Sequence, residues 1–294
     1  MAGSKISGLA RAARVACAAL LFASTARAAP EEGAAATPAP PKIAPAPPPA
    51  ARSATRVCPA AGPVTHRFHA GESLVFRLDV FGADVGTFEL WLEPAPPSSG
   101  ARGGLIGHAR ARTSAFVAAN AGRYEASASG LFGRGLAPIS WQEEIEDGPT
   151  RWTSQTSFPA ERGLLAVKAT RNGEAEALQL PATASARELI SAFLVLRAAP
   201  LAEGTPLCTE IFAARRMWRM AGTVGPRETI DSPLGRQETV RLDLVSTRLD
   251  DPTVVRMSKF WITDDARRLP IAAISEVRGK IFRAQLVHAP RPKK

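Results

Sequence analysis

The stretch Ser73-Leu74-Val75-Phe76-Arg77-Leu78-Asp79-Val80-Phe81-Gly82-Ala83-Asp84-Val85-Gly86-Thr87-Phe88-Glu89-Leu90-Trp91-Leu92-Glu93 decides the fold. Leu74, Phe76, Leu78 and Val80 alternate with Val75, Arg77, Asp79 and Phe81, the period of two that puts one apolar face on a β-strand. Gly82-Ala83-Asp84 carries turn chemistry, and beyond it Phe88, Leu90 and Leu92 again share a face. Two such segments joined by a short turn predict a β-hairpin.

Working outward, the same pattern predicts strands over 105–113, 139–146, 151–158, 164–170 and 175–180. Asn172-Gly173 separates the last two and is a strong hairpin signal, because both residues tolerate positive φ. The Ala-rich stretch 115–130 reads equally as helix or strand. One helix is expected over 186–199. Ser185 and Glu188 have capping-box spacing, Leu189, Ile190, Phe193, Leu194 and Leu196 form an apolar stripe, and Pro200 closes it. Further strands are expected over 207–214, 217–223, 237–247, 254–263, 269–277 and 280–287, with reversals at 231–235, 264–266 and Gly279. The expected architecture is mainly β: a long antiparallel meander forming a curved sheet or open barrel, with one amphipathic helix packed on it.

That meander is expected to occupy 57–290 as a single β-rich domain, a length one large β domain can fill. Upstream, Lys5, Arg11 and Arg14 precede an apolar run over 15–22 and a small-residue exit at Ala26-Arg27-Ala28. This is the layout of a cleaved signal peptide over 1–28, and the run is too short to span a bilayer. Residues 29–56 are dominated by Ala and Pro, as in Pro45-Ala46-Pro47-Pro48-Pro49, and read as an extended linker that cannot build a core. Residues 291–294 form a basic tail. The formal net charge of +10 is therefore unevenly placed. Once the four bases of 1–28, the three of the tail and the one-charge excess of 29–56 are set aside, the domain is left near +2. So balanced a body excludes a nucleic-acid-binding face built on bulk charge. Export also removes Cys17. The two cysteines that stay, Cys58 and Cys208, are expected to form a disulfide in an oxidising compartment, since neither the Cys-x-x-Cys spacing nor the positive surroundings of a reactive pair are present.

No catalytic, cofactor-binding or metal-ligating set is expected. His66 and His69 match neither a helical nor a strand metal pair, and His108 and His288 are remote. Gly-x-Ser-x-Gly and glycine-rich phosphate loops are missing. Glu143-Glu144 reads as a solvated strand edge and Asp264-Asp265 as a turn, because neighbours on a strand face opposite sides. Trp91, Trp141, Trp152, Trp218 and Trp261 all fall in expected strands, where aromatics more often build core than line a ligand cavity.

Several segments together resemble the bacterial domain of unknown function 3108 family. They are Phe68-His69-Ala70-Gly71-Glu72 with Leu74, Phe76 and Val85-Gly86; Leu196-Arg197 with Pro200-Leu201 and Gly204; the segment 229–235; and the run from Phe260-Trp261 through Asp264-Asp265-Ala266-Arg267-Arg268-Leu269-Pro270-Ile271. The resemblance implies an exported, β-rich protein of Gram-negative bacteria with no assigned activity. Asp265, Arg267, Arg268 and Pro270 have a structural reading: an Asp turn ahead of Pro at the head of an edge strand, with arginines pairing to Asp264 or Asp265. The function expected is that of a monomeric, non-enzymatic periplasmic or envelope-associated protein without cofactor, taking an apolar or amphipathic ligand or an envelope partner. The rival expectation is a hydrolase of envelope polymers that uses dispersed carboxylates such as Glu72, Glu144 or Asp265.

Overall fold

The computed structural model describes residues 58, 64, 68–158, 163–183, 185–277 and 280–290. The expected signal peptide (1–28), Ala/Pro linker (29–56) and basic tail (291–294) lie outside the described residues, as do His66 and Gly279. Fifteen strands join in one sheet. The first eight are β1 (Ser73–Val80), β2 (Ala83–Pro94), β3 (Leu105–Thr113), β4 (Tyr124–Phe132), β5 (Pro138–Asp147), β6 (Thr150–Ser157), β7 (Leu164–Arg171) and β8 (Glu174–Pro181). A two-residue β9 (Arg187–Glu188) follows, then β10 (Pro206–Ala213), β11 (Arg216–Ser232), β12 (Gly235–Arg248), β13 (Val255–Thr263), β14 (Pro270–Val277) and β15 (Lys280–His288). There are two α-helices among the described residues, α1 (Ala115–Ala121) and α2 (Leu189–Ala198).

The meander is antiparallel throughout except for β9, which pairs parallel with β10. Its two wings meet because the first strand pairs with the last, with Leu78 opposite Ala284 and Val80 opposite Phe282. One wing runs from β1 out to β8, and the other returns from β9 to β15. Hairpin chemistry is explicit at Phe81-Gly82 and Asn172-Gly173, where φ is 52° and 82°, then 51° and 88°. These are the left-handed pairs that two-residue turns require. β11 bends at a register shift between Val224 and Arg227. Gly225-Pro226 occupies that bulge, a place where the missing proline N–H costs no ladder bond.

The wings curl toward each other. The β10–β11 turn, Ala214-Arg215, has φ of 48° and 59° without a glycine, a strained choice held by the far wing. There the Ala214 amide donates to Glu143 of β5, and the Arg215 guanidinium donates to Glu176 of β8 at 2.9 Å and lies over the Trp152 ring. The stretch 115–130 is both things its composition allowed: a short helix capped by Ser114, then strand β4.

Helix α2 differs from the expectation in position and in start. It begins at Leu189, and Glu188 is itself the N-cap, its carboxylate accepting from the Ile190 and Ser191 amides. Ser185 is not the cap, because Arg187 and Glu188 are drawn into β9 by pairing with Ile211 and Phe212. Nor is α2 an amphipathic cover with a wet face: none of its residues is exposed. A helix apolar on all sides belongs inside, and α2 lies between the wings. Ile190 and Leu194 pack with Leu74, Phe76, Phe88 and Leu90. Leu196 joins Leu207, Val240, Leu242 and Ile262, and Ala192 joins Ile211 and Ala213.

Candidate functional site

The site grows out of the way α2 is admitted to the sheet interior. Gly107 of β3 and Gly130 of β4 are direct cross-strand partners on the inner face. A Cβ on Gly107 would stand 2.5 Å from Ile190 Cγ2, and one on Gly130 would stand 2.8 Å from the Glu188 carboxyl carbon. Both are closer than carbon atoms approach, so the absence of side chains at these two positions makes the socket for the start of α2. Between α2 and the wall formed by β1–β3 and β13–β15 there remains an apolar cavity of about 80 Å³. Phe76, Leu90, Phe193, Met220, Phe260 and Ala273 are among its walls. Leu189, Phe193, Met220 and Phe260 are only half buried and mark its mouth.

Besides Asp79, which accepts from the Gly82 amide at the β1–β2 turn, three carboxylates are buried among the described residues. Glu188 is fully enclosed, and burial pushes its pKa up to about 7 against the hydrogen bonds from the Ser191 and Ile190 amides. Glu143 is raised as well, first by burial, while the Ser154 hydroxyl, the Trp141 indole and the Ala214 amide oppose the shift. The reading of Glu143 as a solvated edge is therefore corrected. It shares parity with Trp141 and Ile145, which puts it on the apolar face, and Glu144 alone points outward to pair with Arg151. Glu210 is buried on β10, where it accepts from the Thr183 amide and hydroxyl and pairs with Arg219 at 3.4 Å.

At the C-terminal end of α2, Arg197 is completely buried. Its Nη1 donates to Glu72, its Nε to the Arg268 carbonyl at 2.9 Å, and its Nη2 to the Arg267 carbonyl at 3.3 Å; the guanidinium also lies over the Phe68 ring. The carbonyls that receive Arg197 belong to the 265–270 turn. Asp265 binds the Arg267 side chain at 2.9 Å and caps the turn through the Arg267 and Arg268 amides. Arg268 pairs with neither aspartate and donates to the Ala199 carbonyl, while Asp264 pairs with Arg227. Pro270 does not head an edge strand. β14 lies between β13 and β15, and Pro270 is tolerated there as its first residue.

The candidate carboxylates do not assemble. Glu72 is held by Arg197, Asp265 lies in the neighbouring turn engaged with Thr263 and Arg267, and Glu144 is on the outer face of the far wing. A second, open concavity of about 540 Å³ lies on that outer face across β2–β6, lined by Trp91, His108, Ser127, Ser129, Gln142 and Gln155 among others. None of the tryptophans lines the apolar cavity, and Trp141 and Trp218 are buried in core. His69 and His288 are exposed, and among the described residues no group of three or more His, Cys, Asp or Glu side chains is placed to hold a metal ion. Cys58 and Cys208 are joined by a disulfide with Cα atoms 5.3 Å apart.

Comparison with solved structures finds this architecture elsewhere. A β-barrel-like protein of domain of unknown function DUF1849 from Brucella abortus is 12% identical, covers 74% of this chain and 96% of its own, and superposes with a TM-score of 0.52. A protein from Bacteroides fragilis described as exported, with a YmcC-like fold, is 7% identical over 76% of this chain and 97% of its own, at a TM-score of 0.34. The first shares the fold. No curated protein matches the chain significantly. The model of the family described as protein of unknown function (DUF3108) matches residues 79–280, from the end of β1 to the start of β15, and the chain therefore belongs to the DUF3108 family.

Proposed function

We propose that this is a non-enzymatic protein of the cell envelope, exported through the 1–28 signal and acting as a monomer, that receives the apolar part of an amphipathic ligand between α2 and the sheet. The observation that carries this reading is the cavity. It is apolar on all sides and bordered by the half-buried Leu189, Phe193, Met220 and Phe260. Its about 80 Å³ is roughly half the volume of an apolar cavity that accepts benzene, so it takes a chain end or branch as it stands, and a longer chain only as α2 shifts. The hydrolase alternative finds less support, since Glu72, Glu144 and Asp265 each have a separate partner.

Native mass spectrometry of mature protein purified from its own envelope tests the reading. Co-purifying lipid-like mass is expected, and it should be lost in Ala273→Phe, which fills the cavity. Protein that carries no added mass and does not bind N-phenyl-1-naphthylamine overturns the proposal.

A further inference from the structure

The outer hollow across β2–β6 follows from one row of side chains. Trp91 of β2 stands opposite His108 of β3, His108 opposite Ser129 of β4, Ser129 opposite Gln142 of β5, and Gln142 opposite Gln155 of β6. All five share the outer face, and β4 is the low point, because Ser127 and Ser129 stand there between the longer side chains of β3 and β5. The result is a trough of about 540 Å³, within the about 300–1,000 Å³ typical of small-molecule sites. A sheet face turned to water needs polar groups, but solvation does not call for a hollow.

One wall is aromatic and held in place. The Trp91 and His108 rings are stacked, with 4.9 Å between centroids and 13° between planes. Neighbouring strands lie about 4.8 Å apart, so the two rings stand upright on adjacent strands, and His108 borders Ser129. Glu93 clamps both rings: it accepts from the Trp91 indole at 3.2 Å and lies 3.4 Å from His108 Nε2. A wall fixed in advance loses little freedom when a ligand arrives. Beside it, the side chains of Ser127, Ser129, Gln142 and Gln155 make no hydrogen bond with a described residue, so their hydroxyls and amides are open to a ligand.

Charge and backbone narrow the ligand by exclusion. Four charged residues border the trough, and each is engaged within the protein. Arg110 pairs with Glu125, Glu144 pairs with Arg151 at 2.6 Å, and Glu143 turns inward to Ser154, Trp141 and the Ala214 amide. Just outside, Arg112 pairs with Glu89 at 3.2 Å, and Lys168, opposite Gln155, is not among the walls. Among the described residues no unpaired charge points into the trough, which disfavours an anion or a cation as ligand. Strands β2–β6 are paired on both sides, so their backbone offers no edge for a peptide strand to join. What fits is an uncharged ligand that hydrogen-bonds through many hydroxyls and has a C–H face to lay against the electron-rich face of an aromatic ring. That is the chemistry of a sugar. We propose that the outer trough binds a neutral glycan, with one sugar ring against the Trp91–His108 wall and neighbouring hydroxyls on Ser129, Gln142 and Gln155. The proposal does not depend on the cavity between α2 and the sheet holding a ligand.

Isothermal titration calorimetry of the chain from Ala29 tests it, with cellotetraose, maltotetraose and N-acetylated chitotetraose as neutral probes and tetragalacturonate as an acidic one. At least one neutral probe is expected to bind with a millimolar or tighter Kd, undiminished at high salt, and to weaken at least tenfold in His108→Ala/Gln142→Ala. Ser129→Tyr, which fills the trough from its floor, should abolish binding while melting like the parent. In the unsubstituted protein the Trp91 indole N–H resonance, identified by its loss in Trp91→Phe, should move as the sugar is added, a readout that needs no variant to fold. The proposal is overturned if no neutral probe binds at millimolar concentration, if tetragalacturonate binds more tightly than all three and is released by salt, or if binding survives in Ser129→Tyr. Naphthylamine binding between α2 and the sheet should be untouched by these substitutions, which separates failure here from failure of the ligand reading.

Discussion

Arg197, at the end of the central helix, donates through Nη1 to Glu72, which lies 125 residues earlier and just ahead of β1. The same guanidinium holds the Arg267 and Arg268 carbonyls, so one side chain ties the helix, the entry to the sheet and the β13–β14 turn together. Burial lowers the Arg197 pKa, and the adjacent Glu72 carboxylate raises it; the group stays cationic at any physiological pH. Glu72→Ala is therefore expected to cost about 3 kcal/mol in urea unfolding, since it leaves a buried charge without its counterion. Glu72→Ala/Arg197→Met should cost less than the two single changes added. A Glu72→Ala variant within about 0.5 kcal/mol of the parent would show that the ion pair does not position α2.

The Gly107–Gly130 socket makes a second, geometric prediction. Gly107→Ala drives a methyl to 2.5 Å from Ile190 Cγ2 and should destabilise by about 1–3 kcal/mol through overpacking. Ile190→Ala by itself leaves a void, at a cost of about 2–5 kcal/mol. Combined, the two should couple favourably, because each relieves the other's defect. Simple additivity in matched denaturation curves would place the helix elsewhere than against this pair.

The strands were legible because each presents its own period-two face, and residues 74–80, 85–93 and 164–180 declare themselves without their neighbours. What was not legible depends on distant partners. Glu188 looks like the third residue of a capping box until β9 pairs with β10 and makes it the cap. The wet face assigned to α2 disappears because two wings cover it. Glu143 had a usable signal, its parity with Trp141 and Ile145, masked by the adjacent Glu144. The role of Arg197 had no local signal, since its partners come from two distant segments, 68–72 and 267–268. β11 runs on to Ser232, past the expected end at 223, because Gly225-Pro226 is accommodated as a bulge.

The Cys58–Cys208 disulfide closes a separation of 150 residues. In the chain-entropy account, a loop of that size stabilises by about 4–5 kcal/mol. Cys58→Ser/Cys208→Ser should therefore unfold at markedly lower urea, with a somewhat larger dependence on denaturant because its unfolded chain is less constrained. Equal midpoints for the parent with and without reductant would show that the bridge is dispensable for stability.

Glu188 sets a pH dependence whose sign is opposite to that of ordinary surface carboxylates. Its folded pKa of about 7 lies above the unfolded value, so between pH 4.5 and 7 the folded state binds more protons and stability must fall as pH rises. The full shift corresponds to about 3 kcal/mol. Glu143, raised by burial, pushes the same way. Glu125 acts in the other direction: the hydrogen bond from Arg123 lowers it, and its contribution is present above the unfolded value and lost as pH falls through the folded one. Thermal stability should consequently peak near pH 5 rather than at neutrality. Glu188→Gln keeps an acceptor for the helix amides but has no charge to desolvate, so it should flatten the decline from pH 5 to 7.5 and melt higher than the parent at pH 7.5. A parent whose melting temperature rises across that interval would mean that the helix-terminal amides hold Glu188 ionised, and the interior would then be a site for fixed negative charge.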